Sequence, residues 1–455
     1  MKSMKTANNF TEGKIFSPLV RFALPVLLAM FLQSMYGAVD TLIVGQFGSA
    51  ADVSAVATGG GIMQTITMAI VGISMGTTIL LGQRIGEGRT DKAGDVIGSS
   101  ILLFLIIGLG VTVLMEIFTV PAAQIMQAPE EAFGGTVSYV RICSAGTIFI
   151  IAYNVLGSVF RGMGNSKMPL ITVAISCVLN IGGDILLVGV FKMAAAGAAI
   201  ATVASQAVSV VLSILIIKKQ GLPFEFGRKN LKLKKEVVLG VTKLGLPIAL
   251  QDVLVSVSFL AITAIVNSLG VIASAGVGVA ERICGFIMLV PSAYSQSISA
   301  FVAQNIGAKK PERAKKALFY GISTSLVVGV AVAYLSFFHG DMLSGMFSSD
   351  LQVISASADY LKAYAIDCLL VSFMFCFVGY FNGCGRTTFV MVQGIIGAFL
   401  VRIPVSYFMS LIKPVSLTLV GLATPASTFV QIILFVTYFI VVSKSTQKNK
   451  VHVLN

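Results

Sequence analysis

The sequence predicts an all-α, polytopic membrane protein with twelve transmembrane helices in two pseudo-symmetric six-helix lobes. Three observations lead there. Of the 455 residues, 56% are hydrophobic and 11% charged, more apolar surface than one or two soluble cores bury. Twelve windows of about 20 residues, almost free of charge, recur along the chain, each the length needed to cross roughly 30 Å of hydrocarbon. Similar segments also recur at an offset of about 221 or 222 residues.

Helices fit these windows better than barrel strands, which alternate in polarity over about ten residues, because "SILLFLIIGLGVTVLMEIF" is apolar on every side. The first apolar segment follows a basic start, but it is too long for a signal-peptide core and contains Pro25, so it reads as a retained helix. The expected spans are about 16–43, 52–82, 94–119, 134–160, 168–190 and 195–217, then 238–268, 272–303, 314–338, 357–381, 389–411 and 417–442.

A net charge of +13 raises nucleic acid as a partner, but the placement of the cations argues against it. Lys and Arg gather in the N-terminal tail, "GQRIGEGRTDK", "RGMGNSK", "KKQGLPFEFGRKNLKLKKE", "GAKKPERAKK", "GCGRTT" and "SKSTQKNK", while the alternate loops hold scattered cations such as Lys192, Lys362 and Lys413. The positive-inside rule then puts both termini and the basic loops in the cytoplasm, with the chain a multi-pass protein of the plasma (inner) membrane, in contact with membrane lipids.

Cysteines 143, 177, 284, 368, 376 and 384 lie in or beside apolar segments without a CxxC pair and read as small buried hydrophobes. The two histidines, His339 and His452, fall outside the spans. No nucleophile, base or metal constellation suggests an enzyme, and no cofactor is expected. Nothing reads GxxxxGK[ST], so transport has to be driven by an ion gradient or by the substrate's own gradient.

The polar stretch 218–236 divides the chain into an N-terminal lobe, 1–217, and a C-terminal lobe, 237–455. "FALPVLLAM" answers "LGLPIALQD", "GQRIGEGRTDKA" answers "AQNIGAKKPERA", and "FRGMGNSKM" answers "FNGCGRTTF". Repeats of one orientation are a recurring build of secondary transporters, with the substrate path between the halves. Pro25 and Pro247 occupy matched places in the first helix of each half. A proline there removes a backbone hydrogen bond and bends the helix, which makes the pair candidate hinges.

Asp40, Asp184, Asp252, Glu281 and Asp367 fall inside predicted spans, with Glu116 near an end. A mid-membrane Asp costs about 2.5–3.5 kcal/mol on insertion scales, so such residues face a cavity or a partner. In "ISCVLNIGGDILLVGVF", Asn180 and Asp184 stand four apart and share a helix face. If their helix packs on the first, Asp40, Asp184, the Asn180 amide and a hydroxyl such as Thr202 converge. Two neighbouring carboxylates that cannot both ionise cheaply form a proton carrier, and the same hard oxygens suit Na+. At the repeat offset Asp40 is answered by Ile262 or its neighbours and Asp184 by Val405 or Ser406, so the second half holds no copy.

In the second half, Glu281 beside Arg282 suits either cation recognition in a cavity or a structural pair with Arg402. Asp252 and Asp367, with Tyr364 one turn earlier, suggest a second ion site. Methionines supply adaptable apolar surface, with Met30 and Met35, then Met63 and Met68, as candidate lining.

The chain resembles the multidrug and toxic compound extrusion (MATE) family in "ALPVLLAMFLQSMYGAVDTLIVGQFG", "GQRIGEGRTDKA", "FRGMGNSKMP", "LNIGGDILL" with "GAAIATVASQ", "GLPIAL", "AERI" and "AQNIGAKKPERA". The resemblance implies two six-helix lobes in a V that rock between outward-open and inward-open states. It is closest to the DinF-like branch, whose ion-coupling residues match Asp40, Asn180, Asp184 and Thr202. The NorM-like branch uses a Glu and an Asp of the second lobe, which Asp252 and Asp367 resemble more loosely, with Asp in place of Glu. These features imply a monomeric antiporter that exports amphipathic, cationic small molecules in exchange for protons or sodium ions. The rival on the same broad fold, a flippase of a lipid-linked precursor, predicts a cavity rich in Arg and Lys. Arg282 and Arg402 instead face at least as many carboxylates, with Arg141 near an end.

Overall fold

The computed structural model describes residues 10–224 and 226–452, with side chains through Lys444 apart from Gln220. The basic residues of the first nine positions lie outside the described residues, as do the side chains beyond Lys444, that of His452 among them. No strand occurs among the described residues. Among the described residues eleven helices are long and apolar enough to span a membrane, and a bent helix pair makes up to twelve if it counts as one span.

Two compact units emerge. The first comprises residues 1–250 and 300–314, the second residues 251–299 and 315–455. The first half of the chain contributes α1 (Phe16–Phe47), α2 (Ala50–Gly86), α3 (Thr90–Ile125), α4 (Glu130–Ala145), α5 (Thr147–Gly162), α6 (Lys167–Asp184) and α7 (Ala194–Gln220). Then follow α8 (Lys235–Asn267), α9 (Val271–Ile287), α10 (Leu289–Gly307), α11 (Pro311–Phe338), α12 (Gly340–Gly345), α13 (Leu351–Gly383), α14 (Thr387–Ile395), α15 (Ile403–Leu411), α16 (Leu417–Gly421) and α17 (Ala423–His452).

The sequence places the lobe boundary at 218–236, whereas the spatial partition keeps that stretch inside the first unit. Asp95 of α3 accepts a hydrogen bond from Asn230 (2.9 Å) and pairs with Lys234, while Ser99 Oγ donates to the Lys232 carbonyl at 2.7 Å. The ends of α8 and α10 assigned to this unit pack on α2. Gly76 backs onto Val241 and Gly245, and Gly82 onto Ala303. Arg313 ties down the segment before α1, donating to the carbonyls of Phe10, Glu12, Gly13 and Lys14.

Single helices expected at 134–160 and 272–303 are each broken. α4 and α5 meet at Gly146 with a 55° bend. There a Cβ would strike Val203 of α7, so the side-chain-free residue lets the broken helix rest on its neighbour. The second break is at Met288, between α9 and α10. The spans expected at 168–190 and 389–411 each contain a π-helical stretch, Ile185–Val190 and Ile396–Arg402.

Turns repeat as the sequence does. Gly164 and Gly385 both take left-handed backbone, φ 77° and 76°, as do Gly88 and Lys309, φ 72° and 56°. One face of α3 carries exposed Leu105, Ile106, Leu109, Val113 and Ile117, as a lipid-facing helix should.

Candidate functional site

Asp40 lies on the buried side of α1, and Asn180 and Asp184 lie on the buried side of α6. All three are at most 2% exposed. The Thr202 hydroxyl of α7 donates to Asp40 Oδ2 at 3.2 Å, and Asn180 Nδ2 donates to Thr202 Oγ1 at 3.4 Å. Asp184 and Asn180 both interact electrostatically with Asp40. The structure thus brings together the four residues singled out from the sequence.

Electrostatically the cluster is one-sided. Asp40 Oδ1, Asn180 Oδ1 and both Asp184 carboxylate oxygens are buried without a hydrogen-bond donor, and no lysine or arginine among the described residues compensates the two acids. Burying such groups unpaired is costly. A proton shared between the carboxylates, or a small hard cation held by these oxygens, removes that cost. The donor set fits either ion.

Local sequence explains the convergence. A Cβ at Gly183 would lie 2.9 Å from Ala201 Cβ, so the glycine lets α6 approach α7 beside Thr202. Asp184 closes α6 where the backbone widens into the π-helical stretch, with Phe191 N bonding Leu186 O at 2.9 Å. Such widened turns recur at functional sites because they re-aim side chains.

Sequence reasoning missed the surrounding tyrosines. Tyr36, one turn before Asp40, donates to the Val173 carbonyl at 3.0 Å and so ties α1 to α6. Tyr139 and Cys143 of α4 are buried and interact electrostatically with Asp40. The one-turn spacing of Tyr36 and Asp40 in "SMYGAVD" was the available signal.

The second half is organised differently. Asp367 is buried on α13, with Tyr364 packed in the adjoining core. Asp252 and Glu281 are half-buried on α8 and α9. Asp252 feels burial and no neighbouring charge, and Asp367 feels Arg402 rather than Asp252, so no interaction links the two acids among the described residues. Arg402 does not pair with Glu281; the opposite charge acting on it is Asp367. Arg282 is exposed rather than internal, because consecutive helix positions point about 100° apart. Met30 and Met35 are half-buried on α1, and Pro25 and Pro247 lie within the unbroken helices α1 and α8.

The sequence matches the family model described as MatE twice, over residues 25–186 and 247–408. It is 26% identical over 444 residues to "Probable multidrug resistance protein YoeA" of Bacillus subtilis, covering 96% of each chain. It is 25% identical over 414 residues to "Multidrug export protein MepA" of Staphylococcus saprophyticus, covering 88% of each. The fold resembles a solved outward-facing structure of a multidrug resistance MATE family transporter of the MOP superfamily, with TM-score 0.91 and 20% identity over 98% of this chain and 99% of that one.

Proposed function

Since the chain belongs to the MatE family of multidrug efflux transporters, we propose that it is a secondary active antiporter, exporting amphipathic, cationic compounds in exchange for protons or sodium ions by alternating access. The observation that carries this reading is the uncompensated cluster of Asp40, Asn180, Asp184 and Thr202. An ion drives such exchange only if it binds one conformation better than the other or competes with the drug. A cation entering this cluster offsets one of the two buried carboxylate charges and draws α1, α6 and α7 together. The same ion leaving reverses that change. Pro25 and Pro247 are the places where α1 and α8 bend in this scheme.

The excess of interior carboxylates, Asp40, Asp184, Asp252, Glu281 and Asp367, over buried Arg402 and half-buried Arg161 supports cationic cargo rather than a phosphate-bearing lipid. Basic loops on the cytoplasmic side of a bacterial plasma membrane, with both termini inside, complete the proposal.

The test is ethidium efflux from liposomes containing the purified protein, under an imposed proton or sodium gradient. Wild type moves dye with one of the two gradients, and Asp184→Asn falls to the leak of empty liposomes. Normal Asp184→Asn efflux overturns the site assignment, and sodium-free buffer identifies the ion.

A further inference from the structure

Residues 218–236 carry seven Lys and Arg against two acids, Glu225 and Glu236, yet the stretch is seated on the first unit at several points. Leu222 and Phe224 pack against the core built by α2, α3 and α5. Asn230, 5% exposed, accepts from Gly227 N at 3.1 Å and donates to Asp95 at 2.9 Å. Lys234 N donates to Ser99 Oγ at 3.2 Å. At Gly98 a Cβ would strike the Asn230 carbonyl, so the glycine lets the segment's backbone lie on α3 between Asp95 and Ser99.

Three helices of the first unit mark where the hydrocarbon begins around this seat. On α3 the exposed large apolar residues start at Ile101, about 4.5 Å along the axis from Gly98. On α7 they end with Ile214 and Leu215, one turn before Lys218 and Lys219, and on α8 they start at Leu239, one turn after Lys235. The segment therefore lies at headgroup depth. There Phe226, Leu231 and Leu233 are 37%, 41% and 51% exposed, interleaved with exposed Arg228, Lys232 and Lys235. Apolar side chains turned outward among cations suit the boundary between headgroups and acyl chains.

We propose that residues 226–235 form a docking site for anionic phospholipid, with Phe226, Leu231 and Leu233 entering the acyl boundary and Arg228, Lys232 and Lys235 holding the headgroup. A zwitterionic headgroup sets its own ammonium beside its phosphate, so a cluster of cations prefers a lipid of net negative charge. Each such cation is worth about fivefold in binding to an anionic surface. Through Asp95, Gly98 and Ser99 the bound lipid bears directly on α3. This goes beyond the transport reading and holds whichever ion or cargo moves.

The chain contains no tryptophan, so Phe226→Trp places a single reporter in the full-length protein. The test reconstitutes it in phosphatidylcholine nanodiscs holding a minor share of brominated phosphatidylglycerol or, in matched amount, brominated phosphatidylcholine. At low salt, brominated phosphatidylglycerol quenches the tryptophan more deeply. That difference disappears at about 1 M salt, where the Debye length is about 3 Å. It also disappears at low salt when Arg228→Gln, Lys232→Gln and Lys235→Gln are combined, while brominated phosphatidylcholine still quenches. Equal quenching by the two lipids at low salt overturns the proposal, as does a preference that survives high salt or the triple substitution. Quenching by neither lipid overturns it by placing the segment in water, and an emission shift on adding a soluble oligonucleotide would then assign the cations to nucleic acid. If the triple variant does not fold, the salt comparison on Phe226→Trp alone decides.

Discussion

The Thr202 hydroxyl donates to Asp40 Oδ2 at 3.2 Å while its oxygen accepts from Asn180 Nδ2 at 3.4 Å, so one side chain of α7 links α1 to α6. Its loss should be felt at the ion. A hydrogen bond to a charged group contributes about 1.5–3 kcal/mol, so Thr202→Val should weaken the ion dependence of efflux roughly tenfold or more, and Thr202→Ser should retain it. Ion-concentration curves of ethidium efflux check this.

Close approach at Gly183 sets the cluster's dimensions. Gly183→Ala places a methyl 2.9 Å from Ala201 Cβ, and overpacking of this kind costs about 1–3 kcal/mol. Melting temperature and efflux should both fall, and Ala201→Gly in the same chain should restore them. Failure of that second change to rescue would show that the glycine matters for some other reason.

Ahead of α1, the segment from Phe10 to Lys14 is held by Arg313, with Asn305 also donating to the Phe10 carbonyl at 3.1 Å and Phe10 packed against Phe22 and Phe301. Arg313→Ala removes four donations worth about 1 kcal/mol each. Hydrogen exchange at residues 11–16 should therefore accelerate at least about tenfold. Arg313→Lys should recover little, since an ammonium cannot reproduce the planar fork.

Much of the fold was legible because crossing a bilayer imposes length and apolarity on each segment, and repetition exposed the two halves before any contact was known. The bend at Gly146 was not legible, since an apolar window has the same composition straight or broken. Asn180 and Asp184 declared themselves through helical spacing, but their meeting with Asp40 depends on Gly183 and Ala201, a contact between helices that no spacing reveals. Arg402 and Asp367 were visible as intramembrane charges. The bond from Arg402 to Ser258 was not, because it joins residues 144 positions apart on helices whose packing the sequence does not state.

The central claim is that cation movement and cargo movement are one reaction at Asp40 and Asp184. The most direct measurement reverses the usual experiment: liposomes with no ion gradient receive an ethidium gradient, and the opposing flux of protons or sodium is recorded. Wild type should move a cation against the dye, and Asp40→Asn and Asp184→Asn should each abolish that flux while the folded protein persists. Dye-driven cation flux undiminished in both variants would contradict the account.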